Sequence, residues 1–294
     1  MKIAAANYPI TFHKTFEGWK GHVASWVEKA VEADLLLFPE YGSMELVSLL
    51  PADVQADAKG QVVAMQRYLD DFKSVYAELA GKYGKVIVAP SFPISMDSKV
   101  INRVFVFGPE GKLAGFQDKL FMTPFETYDW GVEAGNPVLT VFEAQCGTFG
   151  IQICYDSEFS IGSRLLAEAG AEILLLPSCT ETIRGATRVH VGARARALEN
   201  QCYTIVSQTV GEATWTPTVD YNFGYCAAYS TPDLGLPEEG ILQLGPRQEE
   251  GWLMQDFDVS LNHEVRRKGG VRNFMDHKLL EMRMKDLKVQ HVRC

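Results

Sequence analysis

The sequence carries none of the patterns that mark a bound nucleotide or a local metal site. There is no Gly-x-Gly-x-x-Gly and no P-loop, so no nucleotide cofactor is inferred. Among six cysteines and six histidines there is no Cys-x-x-Cys, His-x-His or His-Glu-x-x-His spacing, which argues against a protein-built zinc site. Positive charge is in the minority, 28 Lys and Arg against 37 Asp and Glu for a net charge of −9, so no nucleic-acid surface is expected. The cluster Arg266-Arg267-Lys268 is too short to change that. No apolar run is long enough to cross a membrane, and residues 1–9 read as a short strand ending at Pro9 rather than a signal peptide. The cysteines, at 146, 154, 179, 202, 226 and 294, are scattered, and four lie in or directly after apolar strand-like segments. That is the usage of a reduced, cytoplasmic protein and not of a disulfide framework.

What is present is a chain of 294 residues, 47% hydrophobic, long enough for one large α/β domain. Residues 146–160 hold its most informative stretch. A turn at Gln145-Cys146-Gly147 leads into the apolar run 149–153, where Gly150 admits close approach of another element. Cys154 then stands where strand gives way to helix, and Gly170 is a helix C-cap. A side chain at such a junction sits above the strand ends beside free backbone N–H groups, the usual setting of a nucleophile and its oxyanion hole. Taken alone, Cys154 reads equally as a buried structural thiol.

The rest of the chain alternates strand and helix. Strands are expected at 2–6, 35–38, 86–90, 172–176 and 202–207, with hairpins over 103–107/113–116 and 138–142/149–153. Helices are expected at 17–32, 61–83 and about 185–200, and the last strands at 221–229 and 252–257. Two similar halves, strand–Glu40–helix and strand–Cys154–helix, imply an α/β fold of two mixed sheets packed face to face with helices outside. Glu40 follows the buried run 35–38 and, alone, reads as a helix cap or loop charge. Lys119 lies among apolar residues, and an ordinary ion pair with Asp118 or Glu126 would account for it.

Considered together, these residues suit one chemistry. A cysteine thiol needs a base or a nearby cation, and Glu40 and Lys119 are candidates for each. With Leu36-Leu37-Phe38-Pro39-Glu40, Asp118-Lys119-Leu120 plus Glu126, Gly150-Ile151-Gln152-Ile153-Cys154-Tyr155-Asp156 and Ala195-Arg196-Ala197-Leu198-Glu199-Asn200, the chain resembles the nitrilase, or carbon–nitrogen hydrolase, superfamily over nearly its whole length. The resemblance implies a four-layer αββα sandwich spanning 1–258, with a tail, 259–294, packing on a partner subunit in a homodimer or larger assembly. It implies Cys154 as nucleophile, Glu40 as general base and then acid, Lys119 with the Tyr155 N–H as oxyanion stabilisers, and Glu126 as a supporting carboxylate. A small-molecule amide would be the substrate, with no metal or organic cofactor.

Cys154-Tyr155-Asp156 is similar to the amidase branches, since true nitrilases usually show Cys-Trp-Glu; nitrilase or N-carbamoyl hydrolysis on the same triad is the alternative. Glu158 stands where ω-amidases carry an arginine for a substrate carboxylate, which points to neutral or cationic amides, unless Glu158 forms an interface ion pair with an arginine. Ser160 replaces a common family proline. The overall resemblance is to a poorly characterised branch sometimes fused to an acetyltransferase-like domain, which this sequence does not carry. Pocket candidates are Tyr41, Trp130, Thr180 and Glu181. Two rival readings are a silent scaffold with the same fold and a papain-like hydrolase with His190 as partner to the cysteine.

Overall fold

The computed structural model describes residues 1–293; Cys294 lies outside them. In chain order the first half comprises β1 (Lys2–Pro9), α1 (Phe16–Glu28), β2 (Leu35–Leu37), α2 (Ala52–Gln55), α3 (Ala58–Ala64), α4 (Leu69–Tyr83), β3 (Val86–Val88), β4 (Phe92–Met96), β5 (Lys99–Phe107), β6 (Leu113–Asp118) and β7 (Val132–Glu133). The second comprises β8 (Val141–Ala144), β9 (Gly147–Ile151), α5 (Ser160–Glu168), β10 (Ile173–Ser178), α6 (Ile183–Asn200), β11 (Tyr203–Glu212), β12 (Tyr221–Asn222), β13 (Ala227–Tyr229), β14 (Ile241–Leu244), β15 (Gly251–Asp256), α7 (Val259–Lys268) and α8 (Asn273–Met284).

The two packed sheets are the wings of one curled ladder, ordered β4-β5-β3-β2-β1-β11-β10-β9-β8. Among the described residues the ladder passes from one wing to the other where Asn7–Pro9 pairs with Gln208–Val210, at the C-terminal ends of β1 and β11. Elsewhere they diverge, and alternation along each strand sorts the side chains. Ile3, Ala5, Leu35 and Leu37 pack with Ile151, Ile173, Leu175 and Ile205 between the wings. Ala4, Ala6, Tyr8, Leu36 and Phe38 instead meet Trp19, Val23 and Trp26 of α1 and Phe72 and Tyr76 of α4. On the other side Val189, Ala193 and Ala197 of α6 cover the second wing. Because β1, β2, β3 and β9 to β11 run parallel where they pair, the C-terminal ends of β2 and β9 open onto the same rim.

Two glycines set the distance between layers. A Cβ on Gly150 would lie 2.9 Å from the Leu166 side chain, so α5 can rest directly on β9. A Cβ on Gly192 would lie 3.0 Å from the Ser157 carbonyl oxygen, so α6 can press against the turn that bears Cys154.

The structure departs from the sequence-based expectations where side chains redirect the backbone. The helix expected over 61–83 breaks into α3, a 3₁₀ turn at Met65–Tyr68, and α4. Gln66 explains the break: its amide donates to Pro93 O and accepts from Ser95 N, stitching the turn to edge strand β4. The strand expected over 221–229 splits into β12 and β13, because the intervening N–H groups bond to Thr180 O, Gln248 and Gln208 instead of a ladder. The hairpin arm expected at 138–142 starts at Val141, since the Thr140 N–H is taken by Gln117. The helix that follows Cys154 is at first 3₁₀, Cys154–Glu158, and the α-helix α5 starts only at Ser160. The tail folds back at its start onto its own chain, with Arg266 donating to Asn200 O and Gln201 O, and Asn262 to Glu172 O. No helix is long and apolar enough to cross a membrane among the described residues.

Candidate active site

Four segments end at the rim, and each delivers one side chain. Glu40 follows β2, with the next residue, Tyr41, in the left-handed region at φ 55°. Lys119 follows β6, its backbone N–H bonded to Asn102 O on β5. Glu126 opens a single π-helical turn, Glu126–Trp130, a geometry that recurs at functional sites. Cys154 follows the second wing's β9 and is itself left-handed, at φ 48°. A non-glycine residue held there costs about 1–3 kcal/mol, and here Gly192 against Ser157 and the Ser157 Oγ bond to Cys154 O hold it in place.

The three charged groups converge although they are dispersed in sequence. Lys119 Nζ donates to Glu40 Oε1 at 2.8 Å and to Glu126 Oε2 at 2.6 Å, and all three side chains are fully buried. Of the two ion pairs expected of Lys119, the one with Glu126 forms, joined by a second to Glu40, while Asp118 pairs with Arg103 instead. Glu40 also accepts from Asn102 Nδ2 at 2.9 Å and from the Cys179 N–H at 3.0 Å. Glu126 accepts from Tyr41 Oη, Thr123 N–H and Thr123 Oγ1. The Cys154 thiol donates weakly to Cys179 O at 3.7 Å. Asp156 accepts from the N–H groups of Leu120 and Phe121, joining the cysteine turn to the lysine loop.

Cys154 borders two cavities. The inner one, about 20 Å³ and room for about one water, is lined by Glu40, Tyr41, Lys119, Glu126, Trp130 and Cys154 among others. The outer cleft, about 340 Å³, is lined by Cys154, Tyr155, Glu158, Thr180, Glu181 and Arg188 among others. Tyr41 and Trp130 pack edge to face in the inner wall, and the Tyr41 hydroxyl is committed to Glu126. Thr180 Oγ1 donates to Phe223 O. Tyr155 lies in the outer wall against Phe159, and its N–H has no acceptor among the described residues. Glu158 forms a forked pair with Arg188 of the same chain, at 2.6 to 3.1 Å, so it needs no partner subunit. His190 lines neither cavity and its ring nitrogens are taken by Gln208 and Tyr229, which removes the papain-like reading.

Reasoning from the sequence missed Asn102, Thr123 and Cys179. Asn102, a buried polar residue inside an apolar strand, carried a legible signal. Cys179 carried none, because it acts through its backbone.

Residues 2–260 match the carbon–nitrogen hydrolase family. The chain belongs to that family. This carbon–nitrogen hydrolase is 32% identical to the probable hydrolase YhcX of Bacillus subtilis, over 95% of its own length and 54% of the relative's. It is 26% identical to an ω-amidase of Xenopus tropicalis over 71% of its length and 74% of the relative's. The crystal structure of a Helicobacter pylori carbon–nitrogen hydrolase superposes with a TM-score of 0.78 at 18% identity, covering 98% of each chain. The chain thus spans about half the length of the Bacillus relative, and what either relative acts upon is a property of those proteins.

The hydrolase's charge pattern separates its carboxylates. Burial pushes the Glu40 carboxyl up to about 7; Lys119 opposes the shift, and Glu126 adds to it. At Glu126 burial acts upward too, but Lys119 and the two Thr123 donors overcome it and hold the carboxyl below its ordinary range. Burial works against the Lys119 ammonium, yet the two carboxylates hold its pKa well above the ordinary value. Burial and then the Glu40 charge push the Cys154 thiol well above its ordinary value. Lys119 acts to lower the thiol's pKa, but burial and Glu40 outweigh it. Its charge is already matched by two carboxylates, and the cluster is net negative when Glu40 ionises. Outside the lining of both cavities, the fold also gathers His13, His22 and Glu45.

Proposed function

We propose that the protein hydrolyses a small, uncharged linear amide to an acid and ammonia or an amine through a Cys154 thioester. The observation that carries the reading is the buried Lys119 ammonium, held between Glu40 and Glu126 in a cavity that Cys154 also lines. As the thiol sulfur bonds to the amide carbon, its proton passes to Glu40, which is poised near 7 for general-base work. The developing oxyanion is met by the Lys119 ammonium and the Tyr155 N–H, a stabilisation of several kcal/mol in such water-poor sites. Glu40 then protonates the nitrogen as the C–N bond breaks. A water that loses its proton to Glu40 attacks the thioester, the C–S bond breaks, and the proton returns to sulfur.

The charge at the outer cleft supports neutral substrates. Arg188, the cation in its lining, is engaged by Glu158, and Glu181 adds negative charge, so a carboxylate-bearing amide would have to break an ion pair to bind. Exposed Ile161 and Leu165 on α5 with Val191 and Leu198 on α6 support association of two copies through these helices, with Met275, Leu279 and Leu280 of α8 extending the apolar face. Five free cysteines among the described residues support a reducing, cytoplasmic location.

The test is a panel of short aliphatic amides, the matching nitriles and N-carbamoyl compounds, read by ammonia release and by intact-mass detection of an acyl adduct. Amide turnover with an adduct that vanishes in Cys154→Ala is expected. Ammonia release that survives Cys154→Ala would end the proposal, and turnover of nitriles alone would replace the amidase assignment.

A further inference from the structure

His13, His22 and Glu45 come from three separate segments: the loop after β1, helix α1, and the 3₁₀ helix Gly42–Leu49. His13 Nε2 and His22 Nε2 each lie 3.6 Å from the same oxygen, Glu45 Oε1. All three atoms fall within 4.8 Å of one another. Glu45 is fully buried and His13 is 8% exposed, yet neither imidazole Nε2 has a hydrogen-bond partner. Two buried nitrogens aimed at one carboxylate but bonded to nothing would be costly as they stand.

The separation itself is informative. At 3.6 Å an imidazole and a carboxylate are too far apart for a hydrogen bond. Elsewhere in this molecule, where His263 meets Glu172 directly, the pair closes to 2.7 Å. The longer spacing matches a different arrangement. A tetrahedral metal with ligands at about 2.0–2.1 Å has ligand–ligand edges of about 3.4 Å, close to the two observed. The supporting bonds also resemble those around metal ligands. The Thr11 N–H donates to Glu45 Oε1 at 2.9 Å and Tyr8 Oη to Oε2 at 2.8 Å, while Ser48 Oγ accepts from the His13 N–H at 3.0 Å. These fix the carboxylate and one histidine backbone before any ion arrives.

We propose that His13, His22 and Glu45 form a binding site for a divalent transition-metal ion, zinc being the best match to two imidazoles and one carboxylate. Water completes the coordination. The site is structural: it clips the loop after β1 and helix α1 to the 3₁₀ helix that begins two residues beyond Glu40, and so braces the segment that presents that carboxylate. Sequence spacing conceals it, because the ligands are 9 and 23 residues apart and no two share a helical turn.

The full-length protein, freed of metal by chelator and dialysis, is titrated with Zn²⁺ under reducing conditions and followed by competition against a chromophoric chelator. About one equivalent bound per chain is expected, with a melting temperature raised by several degrees. In His22→Gln the affinity should fall about a hundredfold or more, removal of a direct ligand being at least as costly as loss of an outer-shell partner. In Cys154→Ala it should not change. Co²⁺ substitution tests the ligand set without any variant: visible bands of a four-coordinate nitrogen and oxygen site are expected. Failure to bind zinc, binding unchanged in His22→Gln, binding lost in Cys154→Ala, or a sulfur-to-cobalt charge-transfer band would each overturn the proposal.

Discussion

Replacing Glu40 by Gln separates two accounts of how Cys154 becomes nucleophilic. If Lys119 sustained a thiolate at rest, the variant would keep a reactive sulfur. The electrostatics point the other way: thiol and Glu40 are both pushed up by burial, and the lysine is already engaged by two carboxylates. Alkylation of wild-type Cys154 by iodoacetamide should therefore rise with pH through about 7, as Glu40 gains the capacity to accept the thiol proton. In Glu40→Gln that limb should vanish, and kcat/KM should fall by about 10²–10⁴, the usual contribution of general acid–base catalysis. The same shift has a stability consequence. The folded protein holds the Glu40 proton more tightly than the unfolded chain, so this group's contribution is complete below about 4.5 and is lost as pH rises through about 7. At about 1.4 kcal/mol per pH unit the loss is about 3 kcal/mol. Urea unfolding at pH 5 and pH 8 should show wild type losing about that much more stability than Glu40→Gln over the interval. Asp156, which burial raises to about 6, and His190, which burial lowers to about 4, contribute to both proteins and cancel in the comparison. A variant whose sulfur still alkylates rapidly at pH 6 would refute the general-base account.

Packing and assembly give three further predictions. Gly192→Ala should lower kcat by about 10- to 100-fold and stability by about 1–3 kcal/mol by pushing Ser157, and with it the Cys154 turn, off α6; Gly21→Ala on α1, where an added Cβ meets nothing within 4 Å, should instead raise stability by up to about 1 kcal/mol, and melting curves with steady-state kinetics check both. Ile161→Glu with Val191→Glu, placed on the exposed faces of α5 and α6, should convert a dimer to monomer in sedimentation velocity, and a wild type already monomeric at micromolar concentration would dismiss that interface.

Much of the layout was legible because it depends on local pattern. The unbroken apolar run at 35–38 required a strand covered on both faces, the largely apolar 149–153 read as a second strand, and Glu40 and Cys154, just beyond their ends, were conspicuous for being polar or reactive there. The hairpin of β4 and β5 was hidden. Its turn is Asp97-Ser98, two non-glycine residues at φ 49° and 68°, rather than the Asn-Gly that signals such a turn in sequence. Glu158 illustrates the same limit in charge: the sequence allowed an ion pair with an arginine across an interface, and only the packing of α6 shows the arginine to be Arg188 of the same chain.

The sequence by itself determined the central strands and their covering helices and the residue types at the strand ends, since hydrophobic period and chain breaks act over a few residues. The curl of the ladder decided everything that depends on distance. It set which carboxylates Lys119 meets, which way their pKa values move, and whether a thiol or a thiolate faces the cleft. It also brought three scattered side chains, His13, His22 and Glu45, within reach of a single ion. Electrostatic energy and coordination depend on separations through space, and no spacing along the chain encodes them until the wings close.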